Sequence, residues 1–300
     1  MRIEFFNGWY FLFLLGCAGL VCLLYFSLRK ASEKIQKWVL FSILILSVIL
    51  HFTKVLYPPY STDSSRMLRD SWFINICGAN IALYPIFFWC KNKSFKDYMF
   101  YLGVLGGLVA VVYPMEVFAK ADQVGEIWDV LRFYFHHTML FAVPFCMLMF
   151  KLHKLSYKRV LYIPLCFMAV CAFCMLNQVM QAELGFIPMR GDDILEIHYK
   201  NSSLIWGLDV NERYPFITKL VPNFLKTIPF GPNAGQTKFW PLLWAIVPLY
   251  VYFVPIVFLL SLIFDFKNFK NDFDGLTNKI RIKIAKKKEQ KTQTIKNPQD

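Results

Sequence analysis

The sequence predicts an all-α integral membrane protein with seven transmembrane helices, its N-terminus outside and its C-terminus cytoplasmic. Three observations carry that expectation. Of the 300 residues, 57% are apolar or aromatic and only 18% are charged, an oilier balance than soluble domains show. Seven stretches approach or exceed about 20 mainly apolar residues, the length that crosses a hydrocarbon core. The net charge is +13, and its excess lies in alternate connections. No Gly-rich phosphate loop, His-Glu-x-x-His run or doubled Cys-x-x-Cys occurs, which excludes the common soluble nucleotide and zinc enzymes.

The spans are expected at about 9–28, 38–57, 72–90, 98–119, 130–150, 160–182 and 239–264. The first, from Trp9 to Leu28, is too long for a secretory signal core and is followed by Arg29 and Lys30, so it should stay as an anchor. The second and third open at Trp38 and Trp72. The fourth carries Gly103 and Gly107, four apart and suited to close helix contact. The fifth begins beyond Asp129, the sixth follows Arg159, and the seventh runs from Phe239 to Phe264. Trp9, Trp38, Trp72, Trp89, Trp240 and Trp244 fall near predicted helix ends, where amphipathic rings prefer the headgroup layer.

Sidedness follows from short-loop Lys and Arg. The first, third and fifth connections carry Arg29, Lys30, Lys34 and Lys37; Lys91, Lys93 and Lys96; and Lys151, Lys154, Lys158 and Arg159. These are expected inside. In the second connection Asp63 and Asp70 offset Arg66 and Arg69, and in the fourth Asp122, Glu126 and Asp129 outweigh Lys120. Residues 267–300 form a basic, flexible tail expected to meet anionic inner-leaflet lipid; without aromatic interleaving or a recognition motif, it is not read as a nucleic-acid site. The outer loop, 184–238, holds an apolar stripe (Leu220, Val221, Phe224, Leu225, Ile228) that suits either a headgroup-lying element or a packed lid. Asn201-Ser202-Ser203 fits a glycosylation acceptor.

Polar residues within spans mark function because each is costly unless satisfied. Counted at about 1.5 Å per residue, Cys77 lies roughly 8 Å inward from Trp72, His51 roughly 9 Å from Tyr57 and His137 roughly 6 Å from Phe133. His136 sits beside His137; Asn177, Gln178 and Gln181 crowd the outer end of the sixth span; Asn75 and Asn80 flank Cys77; Glu116 follows Pro114. Together they predict a polar cavity open toward the outer side. Cys77, Asn80 and Tyr84, at i, i+3 and i+7, share one helix face. A thiol beside an imidazole is a minimal acyl-transfer pair. The bland alternatives are a buried hydrophobic Cys77 and a His51 that only bonds across helices. Cys171-x-x-Cys174 reads as packing, and His153 as a loop residue without a role.

The stretch WFINICGANIALYPIFF, the Gly-rich span ending Tyr-Pro-Met-Glu and the segment FYFHHTMLFAVPFCML resemble the bacterial YwaF and eukaryotic transmembrane protein 164 family, best over about Trp72 to Phe150. Bacterial members usually carry Pro-Leu-His-Leu-Cys where this chain has Phe73-Ile74-Asn75-Ile76-Cys77, so a His is replaced by Asn75. The resemblance implies a Cys-dependent phospholipid acyltransferase with Cys77 and His137 as the catalytic pair. His137 would take the thiol proton, Cys77 would attack a lipid ester, and a lysophospholipid or water would resolve the acyl-thioester. Asn75, Asn80 or Asn177 would donate to the oxyanion. No metal or soluble cofactor is required. A non-enzymatic transporter or receptor for a small amphiphile is the other class the outer polar cavity suits. A zinc-dependent lipid amidase is disfavoured, because the seventh span supplies no His.

Overall fold

The computed structural model describes residues 3–58, 60–114, 124–187, 195, 201, 203–208, 215–231 and 234–296. Its helices are α1 (Gly8–Leu28), α2 (Glu33–Phe52), α3 (Ser64–Asp70), α4 (Ile76–Trp89), α5 (Lys93–Val112), α6 (Val124–Met149), α7 (Ile163–Glu183) and α8 (Val254–Lys296). Among the described residues there is no strand, only an isolated bridge between Thr227 and Thr237. Five segments are long and apolar enough to cross a membrane: Gly8–Leu28, Glu33–Leu56, Lys93–Val112, Tyr157–Glu183 and Leu243–Lys287. The other two predicted spans are helical but less clear-cut. With 14 residues, α4 reaches only about 21 Å against a core of about 30 Å, and the 26-residue α6 carries Asp129, Arg132, His136 and His137 along its first half.

Helix starts are set by local caps that apolar counting does not see. The Ser32 hydroxyl accepts from the Ile35 amide, so α2 begins at Glu33 and not at Trp38. Asn92 caps the helix that opens at Lys93, ahead of the expected Tyr98. In the opposite direction, Trp72 to Asn75 precede the helix, and the Asn75 side chain accepts from the Gly78 amide at 2.7 Å. Each cap satisfies one of the amides that a helix N-terminus leaves unpaired.

The share of buried residues ranks the spans, from half in α5 to 11% in α1. Among those five α5 is the most buried, and α6 packs along it through the two glycines. A Cβ at Gly103 would lie 2.5 Å from the Leu140 carbonyl oxygen, and one at Gly107 2.8 Å from that of His137. Backbones this close leave no room for a side chain. Over Gly103–Leu108 the α5 backbone widens into a π-helical stretch. On the outside, α1 rests on α6 through stacked Phe13 and Tyr134 rings, centroids 4.4 Å apart, and on α5 through the Tyr10 hydroxyl, which donates to the Val112 carbonyl at 2.8 Å.

The odd-numbered connections meet at one end of the bundle. There Asp97 is 1% exposed, accepts from Arg159 Nε and Nη2 at 2.6 and 2.9 Å, and meets His153 Nε2 at 2.6 Å. Nearby, the Tyr157 amide donates to Asp265 at 3.1 Å and Lys158 pairs with Asp272 at 2.5 Å. Asp265 has non-helical angles, φ −126° and ψ 18°, so α8 breaks there between its apolar and basic halves. The tail expected to be flexible continues as helix to Lys296. His153, a loop residue without a role by sequence, is thus buried in the strongest polar cluster of this end.

At the other end the described residues of the loop before α8 pack as a lid and not as a surface helix. Val221, Ile228, Leu208, Phe239 and Trp244 are buried, while Phe224 is 73% exposed. Pro222 and Pro229 interrupt the helical spacing, so the 220–228 stripe forms only a 3₁₀ turn at Asn223–Leu225. Trp244, expected in the headgroup layer, instead donates its indole N–H to the Leu204 carbonyl at 2.9 Å. Asn201 builds a turn of the lid: its amide nitrogen donates to the Gly207 carbonyl at 2.6 Å and its oxygen accepts from Trp206 N–H at 3.1 Å.

Two outcomes test this packing. Gly103→Leu should lower stability by about 1–3 kcal/mol through overpacking, whereas Gly106→Ala, whose Cβ meets nothing within 4 Å, should be neutral or stabilising by thermal unfolding in detergent. Asp97→Asn should cost about 3–5 kcal/mol, because it leaves a partly buried guanidinium without its counter-ion; an unchanged midpoint would show that the cluster is not structural.

Candidate functional site

The polar residues predicted to share one cavity separate into three groups. The first surrounds the N-terminus of α4. Since α4 starts at Ile76, Cys77 lies in its first turn. The Cβ of a residue at position 78 would be 3.2 Å from Asn75 Oδ1 and 3.6 Å from His51 Cε1, so Gly78 lets the His51 ring lie against this turn. His51 stacks on Phe73 at 5.1 Å between centroids and faces His136 at 6.2 Å. Its Nε2 is 3.2 Å from the Ser71 carbonyl, whereas its Nδ1 and the Nε2 of His136 are buried without a hydrogen-bond partner.

The second group is bonded within and between helices. Asn80 Oδ1 accepts from the Tyr98 hydroxyl at 3.0 Å, and the Tyr84 hydroxyl donates to the Met99 carbonyl at 3.0 Å. Asn177 donates to the Phe173 carbonyl one turn back at 2.8 Å, and Gln178 Nε2 donates to the Ile74 carbonyl at 3.0 Å. Asn75 serves as the α4 cap. These amides and phenols satisfy backbone and side-chain groups inside the bundle, as buried polar groups must. Glu116 lies outside the described residues.

His137 makes the third group. Its Nδ1 donates to the Phe133 carbonyl at 2.9 Å, and its ring lines a cavity of about 290 Å³ with Leu14, Cys17, Val111 and Phe141, between α1, α5 and α6. Cys17 lines the same cavity, and the ring contact printed for His137 is with Phe133, centroids 4.1 Å apart, on its own helix. Adjacent residues point about 100° apart on a helix, and here the divergence sends His136 toward α2 and His137 toward α1. The imidazoles that converge on the α4 side are those of His51 and His136.

Sequence reasoning missed Ser203. Its hydroxyl accepts from the Ile76 amide at 2.9 Å, which ties the lid to the first turn of α4. Ser203 also lines an apolar cavity of about 280 Å³ with Met168, Cys171, Leu204, Leu242 and Phe253. No local pattern joins positions 76 and 203. Gln181, fully buried with neither amide atom bonded, is a second unassigned polar group. Among the described residues no three His, Cys, Asp or Glu are grouped to hold a metal.

Helical spans around a buried polar layer define a polytopic integral membrane protein. The TMEM164 family matches residues 5–208, more than half of the chain, and the protein belongs to that family. No curated protein and no solved structure matches it.

Asn75→Ala should remove the α4 cap and cost about 0.5–2 kcal/mol, and Asn75→Asp should restore most of it in thermal unfolding. An equal loss for both would show that the cap is not what this side chain supplies.

Proposed function

We propose that this protein is a membrane-embedded lipid acyltransferase or lipid hydrolase in which Cys77 is the nucleophile. The observation that carries the reading is the position of Cys77 in the first turn of a capped helix, beside the residue against which His51 packs. The amide end of a helix carries partial positive charge and favours an anionic sulfur. His51 and His136, each with a buried ring nitrogen that lacks a partner, supply bases on that side. In this reading the base is one of this pair, in place of the His137 that the family resemblance implies.

The imidazole takes the thiol proton as Sγ bonds to the ester carbonyl carbon. Collapse of the tetrahedral adduct breaks the C–O bond, and the proton passes to the departing lysophospholipid. The hydroxyl of a second lysophospholipid, or water, then attacks the thioester and returns the thiol. The apolar cavity that shares Ser203 with the start of α4 suits an acyl chain and keeps water away. In this reading α3 and the lid face outside, and the Asp97 end and the α8 tail face the cytoplasm. The tail's basic residues then meet anionic inner-leaflet lipid.

The test is acyl exchange between labelled phospholipid and lysophospholipid by purified protein. Cys77→Ser should abolish exchange, and His51→Ala or His136→Ala should reduce it by about 10²-fold or more, with His137→Ala nearer to wild type. Exchange that survives Cys77→Ser sinks the proposal. Saturable amphiphile flux that survives Cys77→Ala would replace it with transport.

A further inference from the structure

Past the break at Asp265, the second half of α8 carries an apolar stripe. Phe266, Phe269, Phe273, Leu276, Ile280 and Ile284 recur three or four residues apart and so share one face of the helix. Phe269 and Phe273 stack along it with centroids 6.1 Å apart. From Phe273 onward the stripe is open: Phe273, Leu276, Ile280 and Ile284 are each 50% or more exposed. Ile282 lies off this face.

The geometry at the break decides where the stripe looks. Phe258 belongs to the apolar half of α8 and Phe269 to the second half, yet their ring centroids are 5.6 Å apart. An unbroken helix, at about 1.5 Å per residue, would separate their Cα atoms by about 16 Å, more than two Phe side chains can bridge. The chain therefore bends sharply at Asp265 and leaves the direction of the span. Phe269 also meets the Tyr157 ring edge-on at 5.3 Å, and Asp272 pairs with Lys158 at 2.5 Å and accepts from the Tyr157 hydroxyl. These contacts pin the first turns of the second half to the end of the bundle. Since Phe269 points back at Phe258, its face of the helix looks toward the apolar span and not away from it.

The borders of the stripe select what covers it. At about 100° per residue, Lys270 and Arg281 fall along one edge and Lys279 and Lys283 along the other. Asp272 is taken by Lys158, and from Gly275 to Lys287 the sequence holds no acid. An apolar face edged by cations, on a helix that begins where a span ends, suits the headgroup layer of an anionic leaflet. A second copy fits worse, because pairing two such stripes as a coiled coil would set Lys and Arg against Lys and Arg along the seam.

We propose that residues 266–287 lie on the membrane as an interfacial helix. Phe273, Leu276, Ile280 and Ile284 enter the boundary of the acyl chains, and Lys270, Lys279, Arg281 and Lys283 meet the phosphates of anionic phospholipids. The inner leaflet as occupant rests on the sidedness read under Proposed function, and not on the chemistry at Cys77.

Hydrogen exchange read by mass spectrometry tests this in the full chain, reconstituted in nanodiscs of phosphatidylcholine alone or with phosphatidylglycerol added. Both faces of a nanodisc carry the same lipid, so the result is independent of sidedness, which protease access to the tail in sealed vesicles reads separately. Amides of residues 273–287 should exchange about tenfold or more slowly with phosphatidylglycerol than without it. Leu276→Gln with Ile280→Gln, which keeps the charge, should remove that slowing. Lys279→Gln with Lys283→Gln should make exchange indifferent to phosphatidylglycerol. Neither pair should move the thermal midpoint of the bundle, since all four side chains are exposed. Equal exchange in the two lipids, or slowing that survives Leu276→Gln with Ile280→Gln, would overturn the proposal. Slowing seen only with two copies in one disc would replace the lipid surface with a second copy. A slowed tail found on the outer side would overturn the sidedness alone.

Discussion

The close approach of α5 and α6 at Gly103 and Gly107 is the constraint on which the other contacts depend. With carbonyl oxygens of Leu140 and His137 filling the space where side chains would stand, the two backbones form one rigid unit at the centre of the bundle. From α5, Tyr98 reaches Asn80, Met99 receives Tyr84, and Asp97 gathers Arg159 and His153. From α6, the adjacent histidines point about 100° apart, His136 toward α2 and His137 toward α1. A shift of either helix would alter the distance between His136 and His51 as directly as it would break the packing.

That rigid centre explains how the polar layer divides. Inside a span a polar atom has no water to answer it, so its partner must come from the protein. Asn80, Tyr84 and Gln178 bond across elements and hold them in register, while Asn75 and Asn177 bond within their own helices. Among the described residues, those left unmet include ring nitrogens of His51 and His136, the amide of Gln181, Arg132 Nε, the hydroxyls of Tyr101, Tyr134 and Thr138, and the Trp240 indole nitrogen. Of these, the His51 and His136 rings lie together beside Phe73, at the approach to α4.

Much of the helical pattern was legible because apolar runs, charge and helix-breaking residues are local signals. Gly103 and Gly107 were also legible, since four-residue spacing of small residues implies contact. The start of the third helix was placed too early, at Trp72, because Asn75 caps it three residues later. Trp244 resembled its headgroup-seeking counterparts until the lid supplied the Leu204 carbonyl. His153 looked unremarkable because its partner, Asp97, lies 56 residues away.

The sequence by itself determined an oily helical chain, alternate basic connections, the glycine contact and the cast of polar residues, because those properties depend on composition and on spacing within one element. Only the tertiary structure decided which of those residues meet. Adjacent histidines differ by about 100° around a helix, so their partners are fixed by where α1 and α2 pack on α6. Ser203 reaches α4 only after the lid folds over it. Pairing across helices is a property of packing, and no periodicity along the chain encodes it.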